Sequence, residues 1–106
     1  MPKYLTLAKY TSEGVKGLIK DGGSARRAVV EKAVVALGGR LEAFYFAFGD
    51  ADAYVIVDVP DNESATAVAL TVNAAGGATV KTVVLLTPEE VDAAAKRSVE
   101  YRPPGA

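Results

Sequence analysis

Histidine, cysteine and tryptophan are absent from the 106 residues, and methionine occurs once. Without cysteine there is no disulfide and no thiolate nucleophile. Without histidine, the commonest metal ligand and the usual general base at neutral pH are missing. Zinc, haem and Cys/Ser-His chemistries are thereby excluded. A magnesium or calcium site built from carboxylates alone needs acidic residues at alternating spacing in one loop, and no loop has that pattern. No metal and no cofactor is expected. Long apolar runs are also missing: no window approaches the roughly 20 residues of a membrane span. Met1 to Tyr10 has no basic region followed by an apolar core. A cytoplasmic protein without membrane association is the expectation.

The chain is half hydrophobic and 24% charged, a composition with enough apolar surface to offset chain entropy in one domain. Net charge is only -1, yet its distribution is uneven. Residues 1–40 hold eight Lys/Arg against three Asp/Glu, and residues 41–106 hold four against ten. In a compact domain such asymmetry reads first as self-complementary surface, and second as attraction for an anion.

Lys3 to Tyr10 alternates β-favouring residues and reads as a strand, with Thr11-Ser12 offering a helix N-cap. A helical stretch runs toward Lys20 and is interrupted by Asp21-Gly22-Gly23. Ser24 can cap a second stretch in which Val30, Ala33, Val34 and Leu37 recur at helical spacing, ended by Gly38-Gly39. Arg40 to Phe48 and Ala53 to Val59 read as a hairpin around the turn Gly49-Asp50-Ala51-Asp52. Pro60 and Asp61-Asn62 open a helix through Ala74, Gly76-Gly77 ends it, and Ala78 to Leu86 is the fourth strand. Thr87-Pro88-Glu89-Glu90 starts a short helix to about Ser98; residues 1–98 form the domain and 99–106 a C-terminal tail.

Strand, helix, Gly-Gly, strand thus occurs twice, which gives two βαβ-type halves. Right-handed crossovers joined by the hairpin predict an α+β, ferredoxin-like βαββαβ fold: a four-stranded antiparallel sheet in the order 4-1-3-2, both helices on one face. Leu5, Leu7, Val55, Val57 and Val59 form the set assigned to the helices. The opposite set includes Tyr4, Thr6, Ala8, Tyr54 and Ile56, interrupted only by Asp58 and Lys81. In the second strand, Phe44, Phe46 and Phe48 alternate with Leu41, Ala43, Tyr45 and Ala47. A second apolar face calls for burial against another sheet, so a homodimer packed face to face is expected.

Several short patterns together resemble the GYD-domain family of small bacterial proteins, in the dimeric α/β-barrel, ferredoxin-like group. They are Thr11-Ser12-Glu13-Gly14, Gly38-Gly39-Arg40-Leu41-Glu42, Gly49 with Asp52, Pro60-Asp61, and Tyr101 with Pro103-Pro104-Gly105. Ala51 stands where the family's Gly-Tyr-Asp has its tyrosine, so no role of that tyrosine carries over. The resemblance implies the fold and self-association; the family's biochemical role is unassigned.

Two carboxylates are catalytic candidates, Asp58 in an apolar strand and Asp52 in the hairpin turn. Each also has a structural reading, as an ion pair or a turn-tightening hydrogen-bond acceptor. Thr6, Tyr45, Tyr54 and Asp58 are the expected ligand-binding cluster on the sheet face. Arg26 and Arg27 beside Gly22-Gly23-Ser24 suggest an anion site, against solvated helix surface as the plainer reading. No basic stripe marks the sheet for nucleic acid. The leading functional reading is a homo-oligomeric small-molecule binding or accessory protein. A cofactor-independent isomerase or small oxygenase on an aromatic or polyketide-like substrate is one alternative, and a purely structural assembly module is the other.

Overall fold

The computed structural model describes all residues, Met1–Ala106. Its elements are β1 (Lys3–Tyr10), α1 (Ser12–Asp21), α2 (Gly23–Ala36), β2 (Arg40–Phe46), β3 (Ala53–Asp58), α3 (Asn62–Ala75), β4 (Ala78–Leu85) and α4 (Pro88–Ala95). The fold is α+β, with one four-stranded antiparallel sheet. Counted from the β2 edge, the order is β2-β3-β1-β4; counted from the other edge, the same neighbours run β4-β1-β3-β2. Helices α1, α2 and α3 lie on one face of this sheet, α2 packing over β2 and α3 over β4.

Local chemistry explains where the helices begin. Thr11 caps α1 by accepting from the Gly14 N–H, Asp61 caps α3 by accepting from the Ser64 N–H, and Thr87 with Glu90 completes a reciprocal capping box on α4. Helix α2 departs from expectation: its N-cap is Gly22, no side chain caps it, and Ser24 lies inside the helix. The positive φ of Gly22 lets the chain turn directly from α1 into α2, which leaves no capping position for the serine.

Two glycines set how closely the layers approach. A Cβ on Gly14 would stand 1.8 Å from the Gly77 carbonyl oxygen, so only glycine lets α1 lie against the end of α3. At Gly39 a Cβ would stand 2.3 Å from the Asp58 carbonyl oxygen, which fixes the entry of β2 beside β3.

Register decides which face each strand residue occupies, because residues directly opposite one another share a face. Thr6 pairs with Val55 and Tyr4 with Val57, whereas Leu5 pairs with Ile56 and Leu7 with Tyr54. The faces of β1 are therefore the reverse of the sequence expectation. Tyr4, Thr6 and Ala8 join Val55 and Val57 beneath the helices, and Leu5 and Leu7 join Tyr54 and Ile56 on the open face. Both sets of β1 contain β-formers, so hydropathy favours the leucines for the core. Pairing overrides it: Tyr4 is buried and its hydroxyl donates to Asn62 at the start of α3.

The second strand differs in two ways. A bulge between Leu41 and Ala43 breaks strict alternation, placing Leu41 opposite Val57 and Phe44 opposite Val55, both on the helix side. The strand also ends at Phe46 rather than Phe48, whose ring is fully exposed in the hairpin loop. Helix α4 likewise stops at Ala95, short of Ser98, and every residue from Pro88 to Ala106 is exposed.

The core is a thin layer between sheet and helices, made of Tyr4, Ala8, Val34, Ala53, Val55, Val57 and Val59. No helix is long and apolar enough to cross a membrane.

Candidate functional site

With α2 seated over β2 and α3 over β4, the helices cover the two edges of the sheet and leave its centre, β3 and β1, as the floor of a cleft. Thr6, Ala8, Val55 and Val57 form that floor, and small side chains there cannot fill the space above them. One wall comes from α1 and α2 through Leu18, Val29, Val30 and Ala33; the other comes from α3 through Val68 and Val72. The cleft has a volume of about 510 Å³ and an overwhelmingly apolar lining. Val29 on the wall remains 57% exposed, whereas Ala8, Val55 and Val57 on the floor are buried, so the cleft opens to solvent along its helix side. Asp21 and Arg26, flanking the α1–α2 junction, are the charged residues of the lining; Tyr10, Thr71 and Thr82 supply hydroxyls.

The carboxylates singled out in the sequence lie elsewhere. Asp58 is buried on the opposite face, where its Oδ1 accepts from Lys3 Nζ at 2.9 Å and its Oδ2 accepts from Arg40 at 2.9 Å. Lys3 also donates to Glu42 at 2.8 Å, which joins four charges across β1, β2 and β3. The Lys3 hydrogen bond, helped by the charges of Lys3 and Arg40, outweighs burial and holds the Asp58 carboxyl below the usual carboxylate range. Bonds to Glu42 and then Asp58 hold the Lys3 ammonium above the usual lysine range. A carboxylate kept ionised by two cations is a poor proton acceptor.

Asp52 tightens the hairpin: its Oδ2 accepts from the Tyr10 N–H at 2.9 Å and its backbone N–H donates to the Ala8 carbonyl at 2.8 Å. Lys9 approaches its other oxygen at 3.5 Å. Ala51, the residue before Asp52, is buried.

The expected ligand cluster of Thr6, Tyr45, Tyr54 and Asp58 is therefore split by the sheet. Tyr45 and Tyr54 are a cross-strand pair on the open face with Asp58, while Thr6 lies on the cleft floor. Inverting the faces of β1 accounts for the separation. Of the two arginines, Arg26 lines the cleft and Arg27 is exposed outside it. The cleft valines, Val29, Val68 and Val72, lie outside the candidate residues that the sequence suggests. Val29 breaks the narrow stripe of α2, and a helix with apolar residues beyond one stripe is a usable signal of a second apolar surface.

The sequence matches the GYD domain over residues 4–95. The chain belongs to the GYD domain family. Several of the GYD pattern residues have structural roles here: Thr11 and Asp61 cap helices, Gly14 and Gly39 permit close approach, and Arg40, Glu42 and Asp52 hold strands together. No curated protein matches the chain. No solved structure matches it either.

Proposed function

We propose that this GYD protein is a small-molecule binding protein that works as a homo-oligomer, with the ligand held in the cleft between the sheet and α1–α3. The open, apolar volume of about 510 Å³ carries this reading, since it falls in the range of small-molecule pockets and is bordered by a few convergent polar groups. Its lining suits a largely apolar ligand with one polar or anionic end directed to Arg26. Binding is favoured over catalysis because Asp52 and Asp58, the catalytic candidates, are engaged in structural bonds and neither borders the cleft.

Self-association draws support from the other face. Leu5, Leu7 and Ile56 are half-buried and Val83 is 44% exposed, a contiguous apolar area that a facing copy would remove from water. The same face also carries Lys3, Lys9 and Lys81, so such an interface has an apolar centre with a charged surround.

Titration with 1-anilinonaphthalene-8-sulfonate tests the cleft directly. The native protein is expected to bind it saturably with enhanced fluorescence. Ala33→Trp, which fills the cleft from an exposed position, is expected to weaken binding about tenfold or more. Arg26→Gln is expected to weaken the sulfonate probe about fivefold while leaving the neutral N-phenyl-1-naphthylamine unchanged. Equal binding of both probes by native protein and Ala33→Trp would refute the assignment.

A further inference from the structure

The chain is longer than a compact fold of its size. Its radius of gyration is 16.9 Å and its longest extent 57 Å, whereas a compact chain of this length has a radius near 13 Å. The excess resides beyond β4. Helix α4 forms no packed interface with any other element, and no residue after Thr87 is even half-buried. Yet the segment is not built like a solvated tail. Leu86, Val91, Val99 and Tyr101 present large apolar groups to water, at 62%, 51%, 80% and 73% exposure. Helix α4 has only eight residues but carries a complete capping box with proline in its first turn. A helix so short is marginal in isolation, so local capping prepares it for a surface its own chain does not provide.

We infer that residues 86–106 form an arm exchanged between two copies of this chain, each arm packing on the other copy beside the facing sheets. The inference rests on the self-association proposed above. Two features point to a second copy: the open face of the sheet, from whose edge strand β4 the arm continues, is itself apolar through Leu5, Leu7, Ile56 and Val83, and the charges are complementary. Helix α4 begins with Glu89, Glu90 and Asp92, while Lys81 on the open face of β4 has no carboxylate partner in its own chain. The arm continues directly from β4, the edge strand that carries Lys81.

A mixed-isotope crosslinking experiment on the full chain tests this. Protein with p-benzoylphenylalanine in place of Tyr101 is grown in ¹⁴N and ¹⁵N media, mixed, allowed to exchange and irradiated. Exchange of arms is expected to give peptides joining a light and a heavy chain. The variant Val91→Glu/Val99→Glu/Tyr101→Glu is expected to raise the dimer dissociation constant about tenfold or more. All three side chains are exposed in the single chain, so these substitutions leave its fold intact. A dimer whose crosslinks lie only within one chain, or whose affinity the triple variant does not change, overturns the arm exchange and leaves sheet-to-sheet pairing standing. A monomer at every concentration overturns both.

Discussion

Asp58 illustrates how a residue that is unusual in the sequence acquires a structural role. A carboxylate in a valine-rich strand is costly unless paired, and here Lys3 and Arg40 each supply a bond at 2.9 Å. Because its folded pKa lies below the unfolded one, Asp58 contributes stability that is present above the ordinary carboxylate range and lost as pH falls through the depressed value. Lys3 behaves in the opposite sense. Its folded pKa is raised, so its contribution is complete below the ordinary lysine range and lost as pH rises through the raised value. Asp58→Asn is expected to cost about 2 kcal/mol at neutral pH, and the loss should shrink in strong acid as the native carboxylate also becomes neutral. Urea unfolding at pH 7 and in strong acid measures both; an unchanged midpoint at pH 7 would show that Asp58 contributes no stability there. Gly39→Ala is expected to cost about 2 to 3 kcal/mol, because the added methyl meets the Asp58 carbonyl and backbone must move.

Among the elements, the turns and caps were largely legible in the sequence, and the faces of the strands were not. Gly-Gly pairs, Pro60-Asp61 and Thr87-Pro88-Glu89-Glu90 act locally, through dihedral preference and side-chain capping, so a few adjacent residues suffice to read them. The face of β1 depends on register with β3, a long-range property that no local pattern encodes when both sets of residues are β-formers. That one inversion separates Thr6 from Tyr45, Tyr54 and Asp58 and moves the candidate site from the open face to the cleft. The bulge at Leu41/Ala43 had the same effect on β2.

Thr11 offers a test at this scale. Its hydroxyl accepts from the Gly14 N–H and donates to the Gly76 carbonyl at 2.8 Å, which ties the start of α1 to the end of α3. Thr11→Val keeps the shape and removes these bonds, with an expected loss of about 2 kcal/mol. Ser12→Ala, one residue into the helix, should change stability by less than about 0.5 kcal/mol. Reversal of that order in thermal unfolding would contradict the cap assignment.

At the level of the whole molecule, two apolar surfaces lie on opposite sides of one sheet, and they suit different occupants. The cleft beneath the helices is concave, open and bordered by Arg26, features that suit a small ligand. The other face is broad and spans all four strands, and the C-terminal arm that follows its edge strand β4 is unpacked, features that suit a second copy. The decisive measurement is an amide chemical-shift titration of ¹⁵N-labelled protein with 1-anilinonaphthalene-8-sulfonate. Saturable shifts are expected at Thr6, Ala33, Val55 and Val72, with Leu5, Tyr45, Tyr54 and Val83 unmoved. Shifts concentrated on the second group, or no saturable shifts at all, would contradict ligand binding in the cleft.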